Sequence, residues 1–282
     1  MAAMRRFRSY DGTELAYHVQ GRGRPLVCLP GGPGRSSAYF GDLGGLSAHR
    51  TLVLLDNRGT GDSAVPADRA TYRADRLADD VEALRAHLGL AELDLLGHSA
   101  GAGVAMRYAA EHPAQLARLV LVTPGLLAIG IDLTPEDWLA SLGARSGEPW
   151  FPGAYQSALL LAEGDERPET YRAVGPFYYG RWDDAAAAHF GSPAMGRSAE
   201  VMAGYYADGA FDPSRVRAGL TMLTAPVLVL AGELDPGPSP ASAARLTALF
   251  PRAELVIQPG AGHYPWLDDS GWFVDTLATF LG

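Results

Sequence analysis

Leu93-Asp94-Leu95-Leu96-Gly97-His98-Ser99-Ala100-Gly101-Ala102-Gly103-Val104-Ala105-Met106-Arg107 is the stretch on which the reading of this chain turns. Leu93, Leu95 and Leu96 predict a short buried strand. Ala102, Val104, Ala105, Met106, Tyr108 and Ala109 predict a helix, with a sharp corner at Ser99 between the two. In a G-x-S-x-G corner the serine takes a strained backbone conformation that projects its hydroxyl. Cβ atoms at the flanking positions would collide with the neighbouring strand and helix, so glycines stand there. The helix that starts at the corner points its N–H groups and the positive end of its dipole at whatever the hydroxyl attacks, which makes the corner a place to stabilise an oxyanion. A plain Gly/Ala/Ser turn would look similar in isolation, so the rest of the chain decides.

Outward from the corner, solid apolar runs alternate with helical periodicities. Phe7–Ser9 and Glu14–Gln20 flank Asp11-Gly12 and predict a hairpin. Pro25–Pro30, Thr51–Asp56, Leu116–Thr123, Pro226–Gly232 and Ala253–Gln258 read as strands covered on both faces. Helices are expected over Arg73–Leu88, from about Ser242 to Phe250 and from about Asp268 to Leu281. The pattern predicts an α/β fold with a mainly parallel sheet and helices on both faces. From Pro124 to Arg215 the alternation lapses into helix-like segments broken by Pro and Gly. This segment holds 13 of the 26 aromatic residues, and 13 Asp/Glu against 6 Arg. It is read as a helical cap, residues 124–215, inserted into a catalytic domain made of residues 1–123 and 216–282.

The 282 residues carry a formal net charge of −9 with no basic cluster, which argues against nucleic acid as a partner. All 23 basic residues are Arg, so Schiff-base lysines, Ser-Lys dyads and P-loops are excluded. The one cysteine, Cys28, lies in an apolar run and reads as a buried core residue. No metal-ligand spacing occurs, and no cofactor is expected. The N-terminus lacks an apolar targeting core, and no apolar run approaches a membrane span, so a cytoplasmic protein with no membrane partner is expected. The sequence leaves the oligomeric state open.

In an open sheet of this kind the reactive groups gather at the carboxyl ends of strands. Those positions hold Ser99, then Glu233-Leu234-Asp235, then Gly260-Ala261-Gly262-His263. A serine hydroxyl becomes a useful nucleophile when an imidazole takes its proton and a carboxylate fixes the tautomer of that imidazole, so Ser99, His263 and Asp235 form a candidate triad. Glu233 is the rival acid and should point to the opposite side of its strand end. His98 precedes the serine and either packs or lines the pocket. For the oxyanion, the Ala100 N–H needs a second donor from Gly31-Gly32-Pro33-Gly34. Gly32 is assigned and Gly31 is its rival.

With these residues in place the chain resembles the α/β-hydrolase superfamily, whose chain order is Ser, Asp, His. More narrowly it resembles the proline iminopeptidase branch, the serine-type prolyl aminopeptidases. Pro30-Gly31-Gly32-Pro33-Gly34 is similar to that branch's H-G-G-P-G, and Asp56-Asn57-Arg58-Gly59-Thr60-Gly61-Asp62-Ser63 to its D-Q-R-G-x-G-x-S. The second run is read as a structural turn in which Arg58 pairs with carbonyls or acids. Two departures stand out: Pro30 replaces the usual His, and Gly97-His98-Ser99-Ala100-Gly101 replaces G-G-S-W/Y-G and is closer to esterases and thioesterases. The resemblance implies an eight-stranded sheet with a helical cap. It also implies cap carboxylates that hold a substrate's free amino group, for which Glu200, ahead of the aromatic pair Tyr205-Tyr206, is the candidate, with Tyr205 beside it.

The expectation is a cofactor-independent serine hydrolase working through an acyl-enzyme. Its favoured substrate is a small molecule or short peptide with a free amine, cleaved at the N-terminal amide. The first alternative is a carboxylesterase, lactonase or thioesterase acting on a neutral small molecule. The second is a ligand receptor that keeps the fold without turnover.

Overall fold

A computed structural model describes residues 2–165 and 167–282. Eight strands form one sheet: β1 (Ala3–Arg8), β2 (Glu14–Gly21), β3 (Pro25–Leu29), β4 (Thr51–Leu55), β5 (Leu93–His98), β6 (Leu116–Val122), β7 (Val227–Gly232) and β8 (Ala253–Gln258). Their spatial order is β1-β2-β4-β3-β5-β6-β7-β8. The hairpin of β1 and β2 runs antiparallel and β2 pairs antiparallel with β4, whereas every pairing from β4 onward is parallel.

The apolar runs are continuous because both faces are covered. Alternate side chains of β3 go to opposite sides: Val27 and Leu29 join one core with Leu95, Leu121 and Val229, while Leu26 and Cys28 join the other with Leu96, Val122 and Leu230. Full burial of each such side chain is worth about 1.5–3 kcal/mol. Helices α1 (Ala74–His87) and α2 (Ala100–Glu111) cover the first face. Between β6 and β7 lie α3 (Pro135–Leu142), α4 (Phe151–Ala162), α5 (Pro168–Ala173), α6 (Asp184–Phe190), α7 (Ala199–Tyr205) and α8 (Pro213–Leu220). After β7 come α9 (Pro240–Thr247), α10 (Pro265–Asp268) and α11 (Ser270–Leu281). Phe273, Leu277 and Leu281 of α11 cover the second face.

Two boundaries differ from the periodicity reading for local reasons. The helix expected from Ser242 begins at Pro240, because Ser239 caps it by accepting from the Ser242 N–H at 3.3 Å. The last helix is interrupted at Asp269, whose carboxylate accepts from the Trp272 N–H at 3.0 Å and starts α11 afresh. The inserted helices have a small core of their own around Leu142, Ala158, Val174 and Phe177. Tyr205 and Ala210 pack into the first core under the sheet, together with Val216 and Leu220 of α8. No helix among the described residues is long and apolar enough to cross a membrane.

Candidate active site

β5 ends at His98, Ser99 turns the chain at φ 54 and ψ −122, and α2 starts at Ala100. A non-glycine residue rarely adopts such a conformation, and the surroundings hold it there. The Ser99 carbonyl accepts from the Gly125 N–H at 2.8 Å and from the Ala102 N–H at 3.0 Å. A Cβ on Gly97 would lie 2.6 Å from the Ala102 Cα, and one on Gly101 would lie 2.3 Å from the Leu29 carbonyl oxygen. The glycines therefore let strand and helix close around the serine.

Asp235 follows β7 and His263 follows β8. The His263 Nδ1 lies 2.8 Å from the Asp235 Oδ2, and the Asp235 Oδ1 accepts from the Gly237 N–H at 3.0 Å. A carboxylate can only accept, so Nδ1 donates, and in the neutral ring the lone pair lies on Nε2. Glu233 turns away and accepts from the Gly260 N–H at 2.8 Å on the surface. Ser99 and His263 line one cavity of about 630 Å³, a size suited to a small molecule. Among the described residues no hydrogen bond joins the Ser99 hydroxyl to the His263 ring.

The two candidate oxyanion donors are separable. The Gly31 N–H donates to the Tyr39 hydroxyl at 2.8 Å and is thereby occupied. The amides of Gly32 and Ala100 have no partner among the described residues, and Gly32 lines the cavity. From Gly31 the hydrogen bonds continue inward. The Tyr39 hydroxyl lies 2.7 Å from the His98 Nδ1, and the His98 Nε2 lies 2.9 Å from the His263 carbonyl oxygen. A carbonyl accepts, so His98 donates from Nε2 and must accept at Nδ1 from the Tyr39 O–H. That tautomer is neutral, in keeping with complete burial and the nearby His263 imidazole, which hold the His98 pKa well below its ordinary value. Thr123, at φ 40, donates its hydroxyl to the same His263 carbonyl at 3.1 Å.

A family profile for the alpha/beta hydrolase fold matches residues 24–270. The chain belongs to the α/β-hydrolase family. It is 26% identical over 283 residues to a proline iminopeptidase of Clostridium botulinum, which covers 93% of this chain and 90% of that protein. Among solved structures it is similar to the esterase RhEst1 from Rhodococcus, with 29% identity, a TM-score of 0.74 and 98% coverage of both chains. A proline iminopeptidase from Mycobacterium smegmatis shares the fold at a TM-score of 0.74 and 21% identity, covering 99% of this chain and 97% of that one. The resemblance to the proline iminopeptidase branch read from the glycine loops is thus matched along nearly the whole chain.

In this α/β-hydrolase several residues singled out as substrate contacts lie elsewhere. Glu200 is on the outer surface, its carboxylate 2.9 Å from the Arg69 guanidinium and its side chain 57% exposed. It does not line the cavity. Tyr205 is buried and donates its hydroxyl to the Ala100 carbonyl at 2.8 Å, so it braces the start of α2 instead of facing a ligand. His98 packs behind the cavity, as described above. Arg58 is a structural residue: it is buried, bonds Asp80 through two guanidinium nitrogens and reaches Asp11 at 2.7 Å. The cavity wall comes from Tyr178, Trp182 and Phe190 of the insertion, with Arg35, Arg172 and Arg197. Asp268 locks this wall to the histidine loop by accepting from the Gly180 N–H at 2.9 Å and from the Gly262 N–H at 2.8 Å. Tyr39, Thr123 and the three arginines were missed from sequence. The only signal for Thr123 was its place at the end of a strand, and for Arg35 its place just after the glycine loop.

Proposed function

We propose that this α/β-hydrolase is a serine hydrolase that cleaves small-molecule esters through an acyl-enzyme. The observation that carries the reading is the His263 Nδ1 held 2.8 Å from a buried Asp235 carboxylate, on a cavity shared with a serine in a strained strand-to-helix corner. In this mechanism the Ser99 Oγ attacks the acyl carbon while the His263 Nε2 takes the hydroxyl proton. The N–H groups of Gly32 and Ala100 stabilise the oxyanion, and His263 returns the proton to the leaving oxygen. Water, deprotonated by the same imidazole, then releases the acid. Asp235 orients His263 and supports its charge when it is protonated.

Of the substrate classes the sequence left open, the ester is favoured over the N-terminal amide of a free-amine substrate. Among the described residues no carboxylate lines the cavity, and the one expected to hold an ammonium, Glu200, is engaged by Arg69. Likeness to an esterase at 29% identity supports the same choice. The test compares para-nitrophenyl butyrate with proline para-nitroanilide on the native protein and on Ser99→Ala, beside fluorophosphonate labelling. Expected are ester turnover and labelling, both lost in the variant with a fall of about a thousandfold or more. Labelling that survives Ser99→Ala would reject the nucleophile, and turnover of the anilide above the ester would restore the aminopeptidase reading.

A further inference from the structure

The cavity carries charge of the wrong sign for the protein around it. The chain has a net charge of −9, and the inserted segment between the two halves of the sheet is its most acidic part. Yet the described residues lining the cavity include three arginines, Arg35, Arg172 and Arg197, and no aspartate or glutamate. Arg145, Arg167, Arg181 and Arg215 of the insertion each have a carboxylate partner, in Glu148, Asp165, Asp183 and Glu111. The insertion's two remaining arginines, Arg172 and Arg197, are the two on the cavity. Neither they nor Arg35 meet a carboxylate within ion-pair distance among the described residues.

Two of the three are held in place by neutral acceptors. The Arg35 Nη1 donates to the Tyr264 hydroxyl at 2.9 Å and its Nε to the Met195 carbonyl at 3.1 Å. The Arg197 Nη1 donates to the Gly32 carbonyl at 3.2 Å. The Arg197 guanidinium therefore sits next to the glycine assigned to the oxyanion hole, and the Arg35 guanidinium reaches the residue that follows His263. Such contacts fix the direction of a guanidinium without neutralising it. Arg35 is half-buried and Arg172 and Arg197 lie exposed at the cavity wall, and cations left in this state gain from an anion that brings its own charge into the cavity.

We propose that the cavity recognises a carboxylate, and that the physiological substrate is an ester carrying a carboxylate group on a short apolar or aromatic frame. Tyr178, Trp182 and Phe190 supply the surface against which that frame packs. The three guanidinium groups draw the anion in against the field of an acidic protein and repel an ammonium group. This substrate class rests on the serine-hydrolase reading above, although the anion site itself does not.

The experiment measures kcat/KM for two matched pairs. Para-nitrophenyl hydrogen glutarate against para-nitrophenyl butyrate places the charge on the acyl side. Para-acetoxybenzoate against its methyl ester places it on the leaving side. In at least one pair the anionic ester is expected to be preferred, and that preference is expected to fall by about tenfold or more in Arg172→Gln/Arg197→Gln. In parallel, binding of glutarate and of para-hydroxybenzoate to Ser99→Ala is followed by calorimetry and is expected to weaken when the same two arginines are replaced. A native protein that favours the neutral ester in both pairs, or a preference unchanged in the double variant, overturns the substrate class. No binding of either carboxylate by Ser99→Ala overturns the anion site. If no ester at all is turned over, the hydrolase reading fails by itself, and the calorimetry still decides the anion site.

Discussion

His98 donates its Nε2–H to the backbone carbonyl of His263 at 2.9 Å, so the residue just before the serine holds the loop that carries the candidate base. Its other nitrogen accepts from the Tyr39 hydroxyl, which in turn accepts the Gly31 N–H. One buried ring therefore ties together the strand that leads to Ser99, the glycine loop and the histidine loop. Replacing it with Ala leaves the Tyr39 O–H proton and one lone pair of the His263 carbonyl without partners, in a space that refills only in part. A stability loss of about 2–4 kcal/mol is expected by urea denaturation. At temperatures where the variant is folded, ester kcat should fall while KM changes little, because the cavity wall is untouched. His98→Gln, which can place a donor near the Nε2 position, should recover part of kcat. A rise in KM with kcat preserved would contradict the positioning role.

The same residue gives the protein an acid-side sensitivity with a definite sign. Burial and the adjacent His263 keep folded His98 neutral at pH values where an unfolded histidine, with a pKa of about 6.5, takes up a proton. Unfolding in acid therefore binds a proton at this site. The stability His98 contributes is complete above about pH 6.5 and is lost as the pH falls below it. Burial shifts His189 in the same direction, so His98→Gln is the reference that isolates the first site. The stability gap between native protein and variant should narrow below pH 6.5, by at most about 1.4 kcal/mol per pH unit. A gap that stays constant from pH 7.5 to 5 would mean that folded His98 titrates normally.

Arg58 offers a test of a structural assignment. It is fully buried and is held by Asp80, itself buried, and by Asp11. Arg58→Met fills a similar volume but strands the Asp80 carboxylate, for which a loss of about 3–5 kcal/mol is expected in equilibrium unfolding. Asp80→Asn in the same background should recover part of it. Kinetics of the folded variant toward small esters should stay within about twofold, since neither residue reaches the cavity. A large rise in KM would instead make the loop from Asp56 to Ser63 a substrate contact.

What was legible in the sequence was whatever repeats or ends a repeat. Leu26-Val27-Cys28-Leu29 announced a strand covered on both sides, and the faces of β3 separate as the alternation requires. Asp235 and His263 stood out because each lies just past such a run, and their side chains meet. Which partner a surface side chain meets across the fold follows no period. Glu200, chosen by its spacing from an aromatic pair, went to Arg69, which a one-dimensional reading could not pair with it. Tyr39 and His98 are 59 positions apart, and their contact exists only because β3 and β5 are neighbours in the sheet. The sign of the cavity was hidden for the same reason. The insertion is acidic as a whole, and only the folded chain reveals that Arg172 and Arg197 line the cavity while no acid among the described residues does.

The corner at Ser99 makes a prediction that inverts a common order of substitution. At φ 54 and ψ −122 any residue with a Cβ is strained by about 1–3 kcal/mol, and glycine is not. Ser99→Ala keeps the Cβ and so keeps the strain. Ser99→Gly removes it, offset by about 0.4–1 kcal/mol for the greater freedom glycine has in the unfolded chain. The Cβ is also crowded, since one added to Gly31 would stand only 2.7 Å from it, so its removal opens little void. Ser99→Gly should therefore be more stable than Ser99→Ala by about 1 kcal/mol in urea denaturation, although glycine usually ranks below alanine next to a helix. Both variants should lack turnover, so the comparison isolates the energy stored in the backbone at residue 99. If alanine proves the more stable, the corner is relaxed in solution and the strain has no part in presenting the hydroxyl.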